Sequence, residues 1–151
     1  MLVPTDSKMQ IVLVEDDPAQ ARALSQVLRR DVIGDVEIVT FTDSCEAATH
    51  IECSWIDVLV TDLDMPDLDG LQLIERARRH NSWTQSLLIT AASTASSLIE
   101  AGDLGVADYL LKPVDHQLLV RLIHQSLDRL DRWQEALTGT LRRCRELRNC
   151  P

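Results

Sequence analysis

An α/β fold on a parallel sheet is predicted by three features of this chain. Short apolar runs recur five times, a helical pattern follows each of them, and the polar residues ending the runs are chemically complementary. Strands alternating with helices are joined by right-handed crossovers, because a right-twisted strand feeding a helix packs back onto its own sheet only in that hand.

The first strand is read at Ile11-Val12-Leu13-Val14, an unbroken apolar run of the kind covered on both faces. Helix follows from about Pro18, whose ring suits a first turn, with Leu24, Val27 and Leu28 on one face. Val36 to Phe41 is β-branched and reads as the second strand. Ser44 is expected to cap a short helix through Ile51, with Glu46 in its acidic first turn. Val58-Leu59-Val60-Thr61 is the third strand, followed by a loop from Asp62 to Gly70 in which Asp67-Leu68-Asp69-Gly70 has turn chemistry. Helix is expected from Leu71 to about His80, and a fourth strand at Leu87-Leu88-Ile89-Thr90. A stretch rich in Ser, Thr and Ala, about Thr94 to Leu104, is read as the fourth helix. Asp108 to Leu111 makes the fifth strand, closed by Lys112-Pro113, and from Asp115 the pattern stays helical to about Asn149.

The 151 residues suffice for one domain with a real core, and 45% hydrophobic with 26% charged residues is a globular composition. No apolar run is long enough to span a bilayer, and Met1 to Gln10 lacks the basic start and apolar stretch of a signal peptide; a cytoplasmic protein without membrane contact is expected. Cys45, Cys53, Cys144 and Cys150 lack the spacing of a zinc or redox motif and are read as reduced thiols. Net charge is −9, unevenly spread: seven arginines against four acids from His116 onward leave +3 there and −12 on the first 115 residues. An acidic body argues against nucleic-acid binding and suits a protein that holds a cation or meets a basic partner.

In a doubly wound sheet, ligands bind at the carboxyl ends of the strands near the point where strand order reverses. Glu15, Asp16 and Asp17 follow the first strand, Asp62 follows the third with Asp64 two residues on, Thr90 ends the fourth and Lys112 follows the fifth. Singly, each has an ordinary structural explanation as a cap, a turn residue or a solvated charge. Together they put acids, a hydroxyl and an amine on one rim. Carboxylates about 5 Å apart repel by about 3 kcal/mol per pair at an effective dielectric of about 20. Glu15, Asp16 and Asp62 therefore call for a cation or a raised pKa, and their all-oxygen donor set selects a hard ion such as Mg²⁺. Such a site beside a carboxylate, a hydroxyl and an ammonium has the parts that phosphoryl transfer needs.

Val14-Glu15-Asp16-Asp17, Thr61-Asp62-Leu63-Asp64-Met65-Pro66-Asp67-Leu68-Asp69-Gly70, Ile89-Thr90-Ala91 and Asp108-Tyr109-Leu110-Leu111-Lys112-Pro113 resemble, in order and spacing, the signature blocks of response-regulator receiver domains in two-component signalling. The resemblance covers about residues 9–127. It implies a flavodoxin-like (βα)5 fold with strand order 2-1-3-4-5 and an extended C-terminal helix. It also implies that Asp62 accepts a phosphoryl group from a sensor histidine kinase or a phosphotransfer protein. Glu15 and Asp16 match the acidic pair that binds Mg²⁺ with Asp62, and Asp64 matches the position whose backbone carbonyl joins them. Thr90 and Tyr109 match the switch pair, and Lys112 matches the lysine that pairs with the phosphoryl group, its bond to Pro113 expected to be cis. Asp64 and Ala92 match positions that tune dephosphorylation; because Ala92 cannot position a water, a longer phosphoryl lifetime than in fast chemotaxis-type regulators is expected.

Residues 1–8 are read as a flexible start, 9–127 as the receiver domain and 128–151 as a helical extension. Leu119, Ile123, Leu130, Trp133, Leu137, Cys144 and Leu147 keep near-heptad spacing, interrupted by Ser126 and Thr140, and Gly139 is expected to weaken or break the helix. A coiled coil or signalling helix that supports a homodimer or feeds an output domain is favoured over a single helix folded back on its own domain. Two rival functions share parts of the pattern. Asp62-Leu63-Asp64 superficially matches the Asp-x-Asp nucleophile of haloacid dehalogenase-type phosphatases, which carry it on the first strand and without a preceding acid pair. A receiver-like scaffold that is never phosphorylated is the other.

Overall fold

The computed structural model describes residues 8–91 and 94–148. The expectations for residues 1–7, for Ala92 and for Cys150 fall outside the described residues, as does the side chain of Leu147. Five strands and five helices alternate: β1 (Met9–Val14), α1 (Pro18–Asp31), β2 (Val36–Phe41), α2 (Ser44–Cys53), β3 (Val58–Asp62), α3 (Gly70–His80), β4 (Gln85–Thr90), α4 (Ala95–Asp103), β5 (Asp108–Leu111) and α5 (His116–Arg148). All neighbouring strands pair in parallel, in the order β2-β1-β3-β4-β5. The reversal falls between β1 and β3.

Strand residues point alternately to the two faces of the sheet, which divides the core in two. Ile11, Leu13, Val58, Val60, Leu87 and Ile89 face α1 and α5, where Leu24, Leu28, Leu119 and Ile123 meet them. Val12, Val14, Leu59 and Leu88 face α2, α3 and α4, against Ile51, Leu73, Ile74 and Ala101. Because both faces are covered, the central strands are apolar throughout rather than alternating. Each large side chain fully buried this way contributes about 1.5–3 kcal/mol of hydrophobic stabilisation.

Helix starts follow from capping chemistry. Asp17 accepts from the N–H groups of Ala19 and Gln20 ahead of α1, and Asp69 forms a reciprocal capping box with Gln72 at α3. Thr94 does the same with Ser97 at α4. At α2 the expected cap is corrected: Asp43 accepts from the N–H groups of Cys45 and Glu46, while Ser44 is already helical and buried. The Ser44 hydroxyl instead donates to Pro66 O at 2.8 Å and accepts from Leu68 N at 3.2 Å, tying α2 to the β3–α3 loop. The helix also runs on to Cys53.

The C-terminal helix α5 is continuous through Gly139, so the anticipated break there is absent. A Cβ at Gly139 would meet nothing within 4 Å, and a single glycine costs a long helix only about 1 kcal/mol. Trp133 rests on Trp83 with ring centroids 5.5 Å apart, and Arg129 Nη1 donates to Gln85 Oε1 at 3.0 Å. These contacts hold α5 to the α3–β4 turn where it passes the edge of the sheet. Among the described residues no helix is long and apolar enough to cross a membrane, and Cys45, Cys53 and Cys144 are exposed free thiols.

Candidate functional site

The carboxyl ends of β1, β3 and β5 bring Glu15, Asp16, Asp62 and Lys112 to one point beside the reversal in strand order. Glu15 extends the β1–β2 ladder, its N–H donating to Phe41 O at 3.1 Å. Its side chain is 1% exposed. Asp62 is the last residue of β3 and 4% exposed. Carboxylate oxygens of Glu15, Asp16 and Asp62 lie within 4.8 Å of one another.

Lys112 reaches in from the end of β5, where its N–H donates to Thr90 O at 2.9 Å. Its Nζ donates to Asp62 Oδ2 at 2.6 Å and to Glu15 Oε2 at 2.9 Å. Burial alone would lower the lysine pKa, but the hydrogen bonds and charges of Asp62 and Glu15 outweigh it and hold the ammonium above its usual range. Burial pushes the Glu15 carboxyl up, against the Lys112 hydrogen bond and the Asp17 N–H, which pull it down. Three carboxylates thus meet one ammonium, leaving a local excess of negative charge.

Other residues singled out in the sequence take positions around this cluster. Asp17 does not join it: the α1 amide groups hold its carboxylate, and with it the pKa, below the usual range. Asp64 is exposed on the β3–α3 loop, and its N–H donates to Asp62 Oδ1 at 3.3 Å. Thr90 is fully buried at the end of β4, whereas Tyr109 on β5 is 45% exposed. Tyr109 pairs with Leu88, two residues before Thr90, so the phenol and the hydroxyl lie on the same face of the sheet. The Lys112–Pro113 peptide is cis.

Two features of the site were not anticipated. Lys112 bridges Glu15 as well as Asp62; its position at a strand end was the available signal, but no spacing rule pairs residues 97 apart. Gly70, read only as a turn residue, packs its Cα against the backbone of Asp62. Asp67 in the same loop adopts a left-handed conformation with φ 67°, which Asp tolerates better than most residues.

Fold and rim together define a doubly wound α/β protein with an acidic cluster and a bridging lysine at the carboxyl edge of its sheet. The family model for the response regulator receiver domain matches residues 11–124, and the chain belongs to that family, the phosphorylation-controlled switch unit of two-component systems. It is similar to the response regulator protein FleR of Pseudomonas aeruginosa, 36% identical over 115 residues that cover 76% of this chain and 24% of that one. It is similar also to the transcriptional regulatory protein TrcR of Mycobacterium tuberculosis, 29% identical over 136 residues covering 90% of this chain and 52% of that one. The chain spans about a quarter to about half the length of these curated relatives. Among solved structures, the CheY-like receiver domain protein from Methanospirillum hungatei JF-1 aligns with a TM-score of 0.75 at 25% identity, over 83% of this chain and 98% of that one.

The phosphatase alternative finds no support. The Asp-x-Asp pair begins at the last residue of the third strand of a receiver fold, and Asp64 is exposed on the following loop rather than gathered with Glu15, Asp16 and Asp62.

Proposed function

We propose that Asp62 is the phosphoacceptor of this switch, taking its phosphoryl group from a phosphohistidine on a sensor kinase or phosphotransfer protein in the cytoplasm. The observation that carries the reading is the Lys112 ammonium shared between Asp62 and Glu15, with the Asp16 carboxylate beside them. An Asp62 oxygen attacks phosphorus, the P–N bond breaks with its electron pair going to the departing imidazole, and an acyl phosphate results. Lys112 then pairs with a phosphoryl oxygen, and the Thr90 hydroxyl donates to another. As Thr90 shifts, the Tyr109 ring, half out in solvent, turns inward on the same face and alters the surface around α4 and β5. The chain in this reading catalyses only its own phosphorylation and dephosphorylation.

Mg²⁺ fits the donor set, because every donor is an oxygen and the excess negative charge matches a divalent ion. Glu15, Asp16, Asp62 and the backbone carbonyl of Asp64 are the residues that would hold it. When bound, it supplies positive charge to the phosphoryl oxygens. Residues 9–127 are the switching unit, and 128–151 form an extension through which the switch associates or signals, without nucleic-acid contact.

Incubation with Mg²⁺ and a small phosphodonor such as acetyl phosphate, followed by intact-mass measurement, tests the reading. One phosphoryl group is expected per chain, and none on Asp62→Asn. Release of many equivalents of phosphate from varied esters would instead indicate a phosphatase, and no adduct would indicate a scaffold.

A further inference from the structure

The loop that follows Asp62 is gripped from α2. Leu63 N donates to Ile89 O at 2.7 Å and Gly70 N donates to Leu63 O at 3.0 Å, which ties the two ends of the loop to the sheet and to α3. Between these ends, Leu68 N donates to Pro66 O at 2.9 Å around Asp67, whose φ is 67°. A three-residue turn of that hand is strained for a residue with a Cβ and persists only where its surroundings hold it. Here the Ser44 hydroxyl spans the turn: its Oγ donates to Pro66 O at 2.8 Å and accepts from Leu68 N at 3.2 Å. Ser44 is 5% exposed, and because Asp43 caps α2 the hydroxyl is left for the loop.

The residues just before the turn carry that grip towards the site. The ring of Pro66 fixes its own φ and disfavours all but extended backbone at Met65. Few free torsions therefore separate the Pro66 carbonyl, which Ser44 holds, from the backbone carbonyl of Asp64. We propose that Ser44 is a positioning residue of the phosphorylation site, setting the Asp64 carbonyl for a divalent cation by way of Pro66; the inference rests on the reading of that carbonyl as a Mg²⁺ ligand. Without the hydroxyl the turn relaxes, and one of the oxygens offered to the cation is no longer fixed. The carboxylates of Glu15, Asp16 and Asp62 stay where they are.

Calorimetric titration of the full chain with MgCl₂, without a phosphodonor, tests the role. A group bonded directly to a metal ligand is typically worth about 10–100-fold in affinity; Ser44 acts two residues further along, so Ser44→Ala is expected to weaken Mg²⁺ binding about fivefold. Asp43→Ala removes the α2 cap, keeps the Ser44 hydroxyl and is expected to bind Mg²⁺ like wild type despite its own loss of stability. Neither substitution replaces an apolar core side chain. With acetyl phosphate, Ser44→Ala is expected to need about five times more Mg²⁺ for half-maximal phosphorylation and to approach the wild-type rate at saturating Mg²⁺. Equal affinity in wild type and Ser44→Ala, or an equal loss in Asp43→Ala, overturns the positioning role and leaves Asp62 as phosphoacceptor standing. A wild-type chain that binds no Mg²⁺ overturns this inference and the metal reading together.

Discussion

Gly70 lies directly against the backbone carbonyl of Asp62: a Cβ built on it would overlap that oxygen and come within 3.0 Å of the carbonyl carbon and of Leu88 Cδ1. The absence of a side chain at the first residue of α3 therefore sets how closely that helix approaches the end of β3. Backbone on one side and packed core on the other leave little room to yield. Gly70→Ala is expected to cost about 1–3 kcal/mol in urea unfolding and to slow phosphoryl incorporation, because the strand end carrying Asp62 must move. Wild-type stability in this variant would contradict the close approach.

Removing the bridging ammonium should expose what it neutralises. Lys112 has a raised pKa, so its ion pairs stabilise the fold fully below its ordinary value of 10.5 and lose that contribution as pH rises through the folded value. Lys112→Met leaves Glu15 and Asp62 buried without their cation, a loss of about 3 kcal/mol at neutral pH. The deficit is expected to shrink on acidification, as Glu15 takes up its proton, and to be partly relieved by added Mg²⁺. Thermal unfolding against pH, with and without the ion, reads both effects.

A partly buried acid offers a pH signature away from the site. Burial raises the Asp57 carboxyl pKa despite hydrogen bonds from Gln10 N, at 2.7 Å, and from Trp55. The folded state thus binds this proton more readily than the unfolded one; the associated stability is present below the ordinary value of 3.8 and lost as pH rises through the folded value. Asp57→Asn keeps an acceptor for Gln10 and removes the partly buried charge. Its stability relative to wild type is expected to rise with pH and to level off near neutrality. A difference independent of pH would refute the assignment.

The Ser44 hydroxyl joins α2 to Pro66 and Leu68 of the β3–α3 loop. Ser44→Ala removes both bonds and leaves part of that loop unsatisfied, at a cost of about 1–2 kcal/mol. Hydrogen exchange is expected to speed up at Leu68 and its neighbours while the central strands keep their protection.

The layered fold was legible because the covered central strands leave apolar runs, and four of the five strands end beside a residue that cannot be buried unpaired. The rim residues could be found from that rule alone. Contacts set by tertiary structure could not. Asp43 and Ser44 are both good capping residues, and only the loop at Pro66 decides that Ser44 turns inward. The bond from Gln10 N to Asp57 spans 47 residues, so the strain on that carboxylate has no local sign. Gly139 carries a propensity cost that thirty-two other helical residues of α5 absorb.

The central claim is that Asp62, among the clustered acids, forms the covalent bond to phosphorus. Reduction of the phosphodonor-treated chain with borohydride converts an aspartyl phosphate to homoserine, which peptide mass spectrometry locates. Homoserine is expected at position 62, dependent on Mg²⁺ and much diminished in Lys112→Met. Homoserine at position 16 or 64, or at none of the acids, would contradict the account.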